Sequence, residues 1–283
     1  MKIGGHVSIA GGFDKSIDRA VNIGANCLQT FASSPRSLKT KDFEASVIDK
    51  YLQKKSENKM GSHFFHGVYL INLAHESQEY VEASIESLLF YQKFSKKING
   101  EGTIFHIGSH KGRGFDAVKK QIAGAVEKVL SKTPDDVMLF LENAAGQKGI
   151  IGSNLEDLRY IYDSISSDEL KRKLGVCYDT QHGFASGLDV RSEKSLENTV
   201  DKIKNTLGVD LIKVVHINDS KVELSSNRDR HENVGEGMIG EDGFRLFTNH
   251  PTFSSLPFLL EVPGENKSGP RKIDIENFQK IVD

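Results

Sequence analysis

Eight short apolar or β-branched runs recur along the whole chain: KIGGHV (2–7), NCLQTF (26–31), SHFFHG (62–67), TIFHIG (103–108), VMLFLE (137–142), LGVCYD (174–179), IKVVHIN (212–218) and PFLLEV (257–262). Segments of helical period fill the gaps. Phe43, Val47, Ile48, Tyr51 and Leu52 line one apolar face, and Val118, Ile122, Val126, Val129 and Leu130 line another. Strands joined through helices run parallel, and parallel strands covered on both faces are apolar almost throughout. Eight such units, with no Pro/Gly/Ser-rich linker between them, predict an α/β chain with one domain over residues 1–283. The architecture is a single parallel (β/α)8 TIM barrel, with helices outside and the active site at the C-terminal ends of the strands. A doubly wound open sheet is the competing architecture, but its GxGxxG signature is missing after the first strand, where the chain reads GGHVSIAGG.

The 283 residues are 37% hydrophobic and 27% charged, enough for an ordinary core and a solvated surface. No window approaches the roughly 18 apolar residues of a membrane span, and the N-terminus enters a strand-like run with no apolar signal region, so the expected compartment is the cytoplasm and the expected state a monomer. Cys27 and Cys177 fall inside apolar runs, as buried thiols do, and neither has a cysteine partner nearby. A formal charge of −2 excludes a broad basic field for nucleic acid, so an anionic substrate must be drawn by local charge. The lysine-rich stretches at 53–59 and 93–97 lie at helix ends, where they read as solvated faces.

In a parallel barrel, what each strand ends on decides the chemistry. The third run ends at His66, the fourth reaches His106, the fifth ends at Glu142, the sixth at Asp179, the seventh at His216 and the eighth at Glu261. A lone strand-end histidine is usually a satisfied polar residue. Six such groups around one mouth would leave unpaired buried charge, costing on the order of several kcal/mol per ion, unless cations were present. Two loops add further donors. In DTQH, a helical turn would place Asp179 and His182 on one side; in RDRH, an extended segment would point Asp229 and His231 the same way. Imidazole and carboxylate donors without thiolate suit Zn²⁺, with Mn²⁺ or Fe²⁺ as substitutes. Nine donors exceed what one tetrahedral ion needs and suit two or three ions sharing a bridging carboxylate.

The motifs HVSIAGG, HGVYLINLAH, FHIGSH, LENAAGQ, VCYDTQHGFASGLD, HINDSK, RDRHENVGEG and LLEVPG, in this order from about residue 4 to about 264, closely resemble endonuclease IV, the zinc-dependent apurinic/apyrimidinic endonuclease family. The resemblance implies three zinc ions: one on His66, His106 and Glu142; a second on Glu142, Asp179, His216 and Glu261; a third on His182, Asp229 and His231. It implies duplex DNA as partner, cleaved on the 5′ side of abasic sites to leave a 3′-hydroxyl and a 5′-deoxyribose phosphate, together with trimming of blocked 3′ ends. Where the family has a pattern near Asn-x-x-Arg-x-Trp, this chain reads FASSPRSLK, so Arg36 keeps the arginine and Leu38 replaces the tryptophan. By resemblance Arg36 and Tyr69 are the candidate DNA contacts. Val262 stands for the usual threonine after the last glutamate, and Gln181 for a small residue.

Zinc lowers the pKa of bound water to about 7, so water is the expected nucleophile and no serine or cysteine attack is required. Glu142, as the bridge, and Glu261, as the group that orients or deprotonates the water, are the candidate catalytic residues. A divalent-metal sugar isomerase or epimerase is the main rival, since such barrels also gather His, Asp and Glu, but it needs no third cluster. A non-catalytic DNA-binding module would need a basic stripe that the sequence lacks.

Overall fold

Burial on both faces is what makes the eight runs so uniformly apolar, and a computed structural model, which describes residues 1–282, closes them into one parallel barrel. Its strands are β1 (Lys2–His6), β2 (Cys27–Thr30), β3 (His63–His66), β4 (Gly102–Phe105), β5 (Met138–Glu142), β6 (Leu174–Asp179), β7 (Ile212–His216) and β8 (Pro257–Leu260). Each pairs with its neighbours in sequence, and β1 closes the ring on β8, from Lys2 opposite Pro257 to Gly5 opposite Leu260. The open-sheet alternative is thereby excluded. Helices alternate with the strands; the longest are Ala45–Glu57, Gln78–Lys97, Phe115–Leu130 and Glu193–Thr206, and Lys272–Val282 closes the described chain.

The interior is layered by the two-residue period of the strand. Cys27, Phe64, Ile104, Phe140, Cys177, Val214 and Leu259, one from each of β2 to β8, form a buried apolar cluster of their own. On β1 the equivalent place is Gly4, where a Cβ would stand 2.1 Å from the carbonyl oxygen of Cys27, so only glycine lets β1 and β2 approach this closely. Two residues further along each strand direction lie His6, Gln29, His66, His106, Glu142, Asp179, His216 and Glu261. The apolar layer is thus a dry floor and the next layer a polar mouth.

The outward-facing residues pack under the helices. Phe65 and Phe94 stack at 5.3 Å between ring centroids, and Tyr178 stacks on Phe247 at 5.8 Å. His63, three residues before His66, points to this outer side. Its ring sits between the hydroxyl of Tyr51 at 2.5 Å and that of Thr30 at 2.9 Å, and burial pushes its pKa well down, so it is a neutral packing residue. Both cysteines are free and buried, and burial pushes each thiol up to about 12. At the lysine-rich helix ends, Lys96 pairs with Asp136 and Lys97 with Asp42 on solvated faces, whereas Lys54 is largely covered and pairs with the buried Asp14 and with Asp18. Among the described residues no helix is long and apolar enough to cross a membrane.

The ladders of β4 and β8 stop one residue short of His106 and Glu261. At β8 the cause is visible: the Glu261 amide donates to the side-chain oxygen of Asn218 at 2.8 Å instead of continuing the sheet.

Candidate metal centre

Donor atoms converge at the C-terminal mouth in three groups. His66, His106 and Glu142 form one; Glu142, Asp179, His216 and Glu261 form the second; Asp179, His182 and His231 form the third, each with its donor atoms within 4.8 Å of one another. Glu142 therefore belongs to two groups, and so does Asp179. Asp229 stands beside the third group, 3.5 Å from His182 Nε2 and 3.3 Å from His231 Nε2. All nine residues singled out by their sequence positions thus lie around one mouth, with Asp179 beside His182 as the DTQH spacing suggested and so in reach of a third group that the resemblance had not given it.

The rings are aimed. His66 Nδ1–H donates to the Gly67 carbonyl at 2.7 Å, His182 Nδ1–H to the Asn143 carbonyl at 2.9 Å and His231 Nδ1–H to the Glu261 carbonyl at 3.2 Å, which turns each Nε2 toward the carboxylates. His216 is reversed: its Nε2–H donates to the side-chain oxygen of Gln29 at 2.8 Å, and Nδ1 faces Glu142 at 2.9 Å and Glu261 at 3.3 Å. Pinning one ring nitrogen to an oxygen fixes the lone pair of the other, as metal-binding histidines require.

The donor set fits divalent cations. Among the described residues every ion-pair partner of Glu142, Asp179, Asp229 and Glu261 is an imidazole, and no lysine or arginine pairs with their carboxylates. His231 Nε2 is buried and makes no hydrogen bond. Burial pushes the Glu142 carboxyl up, but His106 and His216 outweigh it and hold the group well below the carboxylate range. Burial likewise lowers His182, yet Asp179 and Asp229 push it well above an ordinary imidazole. Buried carboxylates of this kind demand positive charge, and a divalent ion supplies it without protonating the rings.

The loops explain how two distant segments arrive here. Asp179 ends β6 and caps the short helix Thr180–Ala185, accepting from the His182 amide at 2.8 Å, so the expected helical turn carries His182 to the same side. Asp219–Ser220 pairs antiparallel with His231–Glu232, which brings His231 across. The fully buried Asp219 carboxylate accepts from the amides of Ser220 and Ile239 on one oxygen and from Gly235, Gly237 and Gly240 on the other, at 2.7–3.3 Å. A Cβ on Gly237 would lie 2.6 Å from that carboxylate, so the clamp needs glycine there.

Residues 17–280 match the family model of the xylose isomerase-like TIM barrel. The "Probable endonuclease 4" of Halothermothrix orenii is 41% identical over 98% of this chain and 97% of its own length. The chain belongs to the endonuclease IV family. Among solved structures, endonuclease IV from Thermus thermophilus matches with a TM-score of 0.85 at 27% identity, over 100% of this chain and 99% of that one. A D-tagatose 3-epimerase-like protein, at 16% identity and a TM-score of 0.73 over 100% of this chain and 96% of its own, shares the barrel alone.

Against the endonuclease IV pattern, the three departures of this chain each find a place. Leu38 is half-buried and packs on the main core. Val262 is buried. Gln181 is buried and donates to the Arg228 carbonyl at 3.0 Å, next to Asp229. Tyr69 is not a core tyrosine: it is 64% exposed, edge-on to Phe31 at 5.5 Å, and it lines both a cavity of about 410 Å³ with His106, His182 and Asp229 and another of about 450 Å³ with His6, His231 and Glu261. Arg36 is exposed, and its guanidinium has no ion pair among the described residues. Residues that the sequence reading passed over complete the mouth. His6 lies 3.2 Å from Glu261, and Gln29 touches Glu261 and His216. Asn143 and Asn218 hold Asp179 through hydrogen bonds of 2.6 Å each. His6 ends its strand as His66, Glu142, Asp179 and His216 end theirs, so the same signal would have found it.

Proposed function

We propose that this chain is a DNA-repair endonuclease that hydrolyses the phosphodiester bond on the 5′ side of abasic sites in duplex DNA and also trims blocked 3′ ends. The observation that carries the reading is the convergence of nine imidazole and carboxylate side chains into three adjoining groups with no other cation among them. His66, His106 and Glu142 would hold one zinc, Glu142, Asp179, His216 and Glu261 a second, and His182, Asp229 and His231 a third, with Asp179 in reach. Mn²⁺ or Fe²⁺ could take the same donors. Bound there, the ions supply activated water at neutral pH and neutralise phosphate charge.

The chain's own residues do the rest. Gln29 holds Oε1 of Glu261, leaving Oε2 turned toward the centre of the mouth, where it can orient the attacking water and accept its proton. Glu142 joins two groups and keeps them at a fixed spacing, which is what in-line displacement at phosphorus demands. Tyr69 stands between two cavities and offers an exposed ring to an unstacked strand, and Arg36 offers a free guanidinium to the backbone. A sugar epimerase would leave the third group without a purpose.

The test is a duplex carrying one abasic site, incubated with zinc-loaded protein and with exhaustively chelated protein, and mapped at both new ends. A 3′-hydroxyl and a 5′-deoxyribose phosphate that form only with metal are expected. An uncut strand, or cutting that ignores chelation, contradicts the reading. Arg36→Ala in the same assay should bind the duplex more weakly with unaltered zinc content.

A further inference from the structure

Of the four histidines pinned through one ring nitrogen, three lean on main-chain carbonyls, which no substitution of a side chain can remove. His216 alone leans on a side chain, that of Gln29. Gln29 lies on β2, on the far side of the ring from β5 and β6, and is fully buried. Its amide is used at both ends: the oxygen accepts from His216 Nε2–H at 2.8 Å, and the nitrogen donates to Glu261 Oε1 at 2.5 Å and sits 3.0 Å from His6 Nδ1.

Only one orientation of this amide works. Turned over, its oxygen would face the Glu261 carboxylate and its NH₂ would face a ring nitrogen. The negative charge of Glu261 therefore sets the direction of the amide, the amide oxygen sets the proton of His216 on Nε2, and the lone pair on Nδ1 points at Glu142 and Glu261. We propose that Gln29 is a positioning residue for the metal centre, fixing in one stroke the ring state of His216 and the carboxylate of Glu261, and so setting the affinity of the ion these two share without touching the other two. The proposal rests on the reading of the mouth as a zinc centre.

Gln29→Met keeps the volume and removes both polar ends, so a role in packing alone predicts no change. Gln29→Glu keeps an oxygen facing His216. Zinc affinity is measured by competition with a chelator on intact protein, beside melting curves of the metal-free forms, which report folding. Wild type should take up three ions. In Gln29→Met one of them should bind about 10–100-fold more weakly and the other two as before, a loss of the size that follows removal of a group supporting a metal ligand. On abasic duplex, kcat should fall with KM unchanged. Gln29→Glu should recover the affinity only in part, because the acceptor for His216 is back but its second oxygen faces the Glu261 carboxylate, which has lost its donor. If methionine fails to pack, Gln29→Leu is measured in its place with the same expectation. All three ions bound at wild-type strength in the folded Met or Leu variant would overturn the proposal. A wild-type protein that takes up no zinc would instead refute the metal reading itself.

Discussion

Glu142 is the side chain whose loss the mouth could least absorb, since one buried carboxylate serves two donor groups and faces His66, His182 and His216 within 3.5 Å. Glu142→Ala should lose at least one bound zinc and all incision while the barrel still melts cooperatively, as elemental analysis, the abasic duplex assay and a melting curve would show. An active variant would remove Glu142 from its proposed role. At this scale most of the site was legible: six residues of the types suited to metal, each at a strand end, point to one mouth. Gln29 was not, because a search for metal ligands passes over an amide, and its meaning lies in contacts with His216 and Glu261, 187 and 232 residues away. His6 was legible by the same strand-end signal and was passed over, in a glycine-rich strand whose apolar level is carried by Gly4 rather than by a side chain.

Among the elements, the segment from Asp219 to Gly240 has little apolar support and is organised by one carboxylate taking five amide hydrogen bonds. Asparagine at 219 would turn an NH₂ toward amide donors, costing about 1–3 kcal/mol for each donor left unpaired. Asp219→Asn should lower the melting temperature, open the segment to limited proteolysis and strip the ion held by His182, Asp229 and His231 ahead of the other two. Wild-type proteolysis and zinc content in that variant would contradict the clamp. Asp157, in the first turn of the helix Leu155–Asp163, makes a second element-level prediction. Burial, with Glu156 and Asp116 adding to it, pushes its carboxyl from 3.8 to about 6. A raised carboxyl binds its proton more tightly in the folded chain, so its contribution to stability is full below about 4 and is lost as pH rises through about 6. Asp157→Asn should therefore melt higher than wild type at pH 7.5, with the gain shrinking by pH 4.5; an equal gain at both pH values would sink this. The strands and the long helices were readable from their periods. The two-residue hairpin that delivers His231 was not, because its pairing partners stand 11 and 13 residues apart with no repeat between them.

For the whole molecule, alternation of eight apolar runs with amphipathic segments sufficed to read the barrel, since closure removes sheet edges and leaves few other solutions for eight parallel strands. Charge couples that fold to its substrate. The chain carries −2, and the three divalent ions proposed for the mouth would add six positive charges, which would make the loaded protein +4 with the gain concentrated there. The central claim is that this mouth holds three cations. Zinc per chain, counted by elemental analysis on protein purified without chelator and reloaded to saturation, tests it most directly: the account predicts three, falling to none on exhaustive chelation, whereas a saturating content of one or two ions with all nine side chains intact would contradict it.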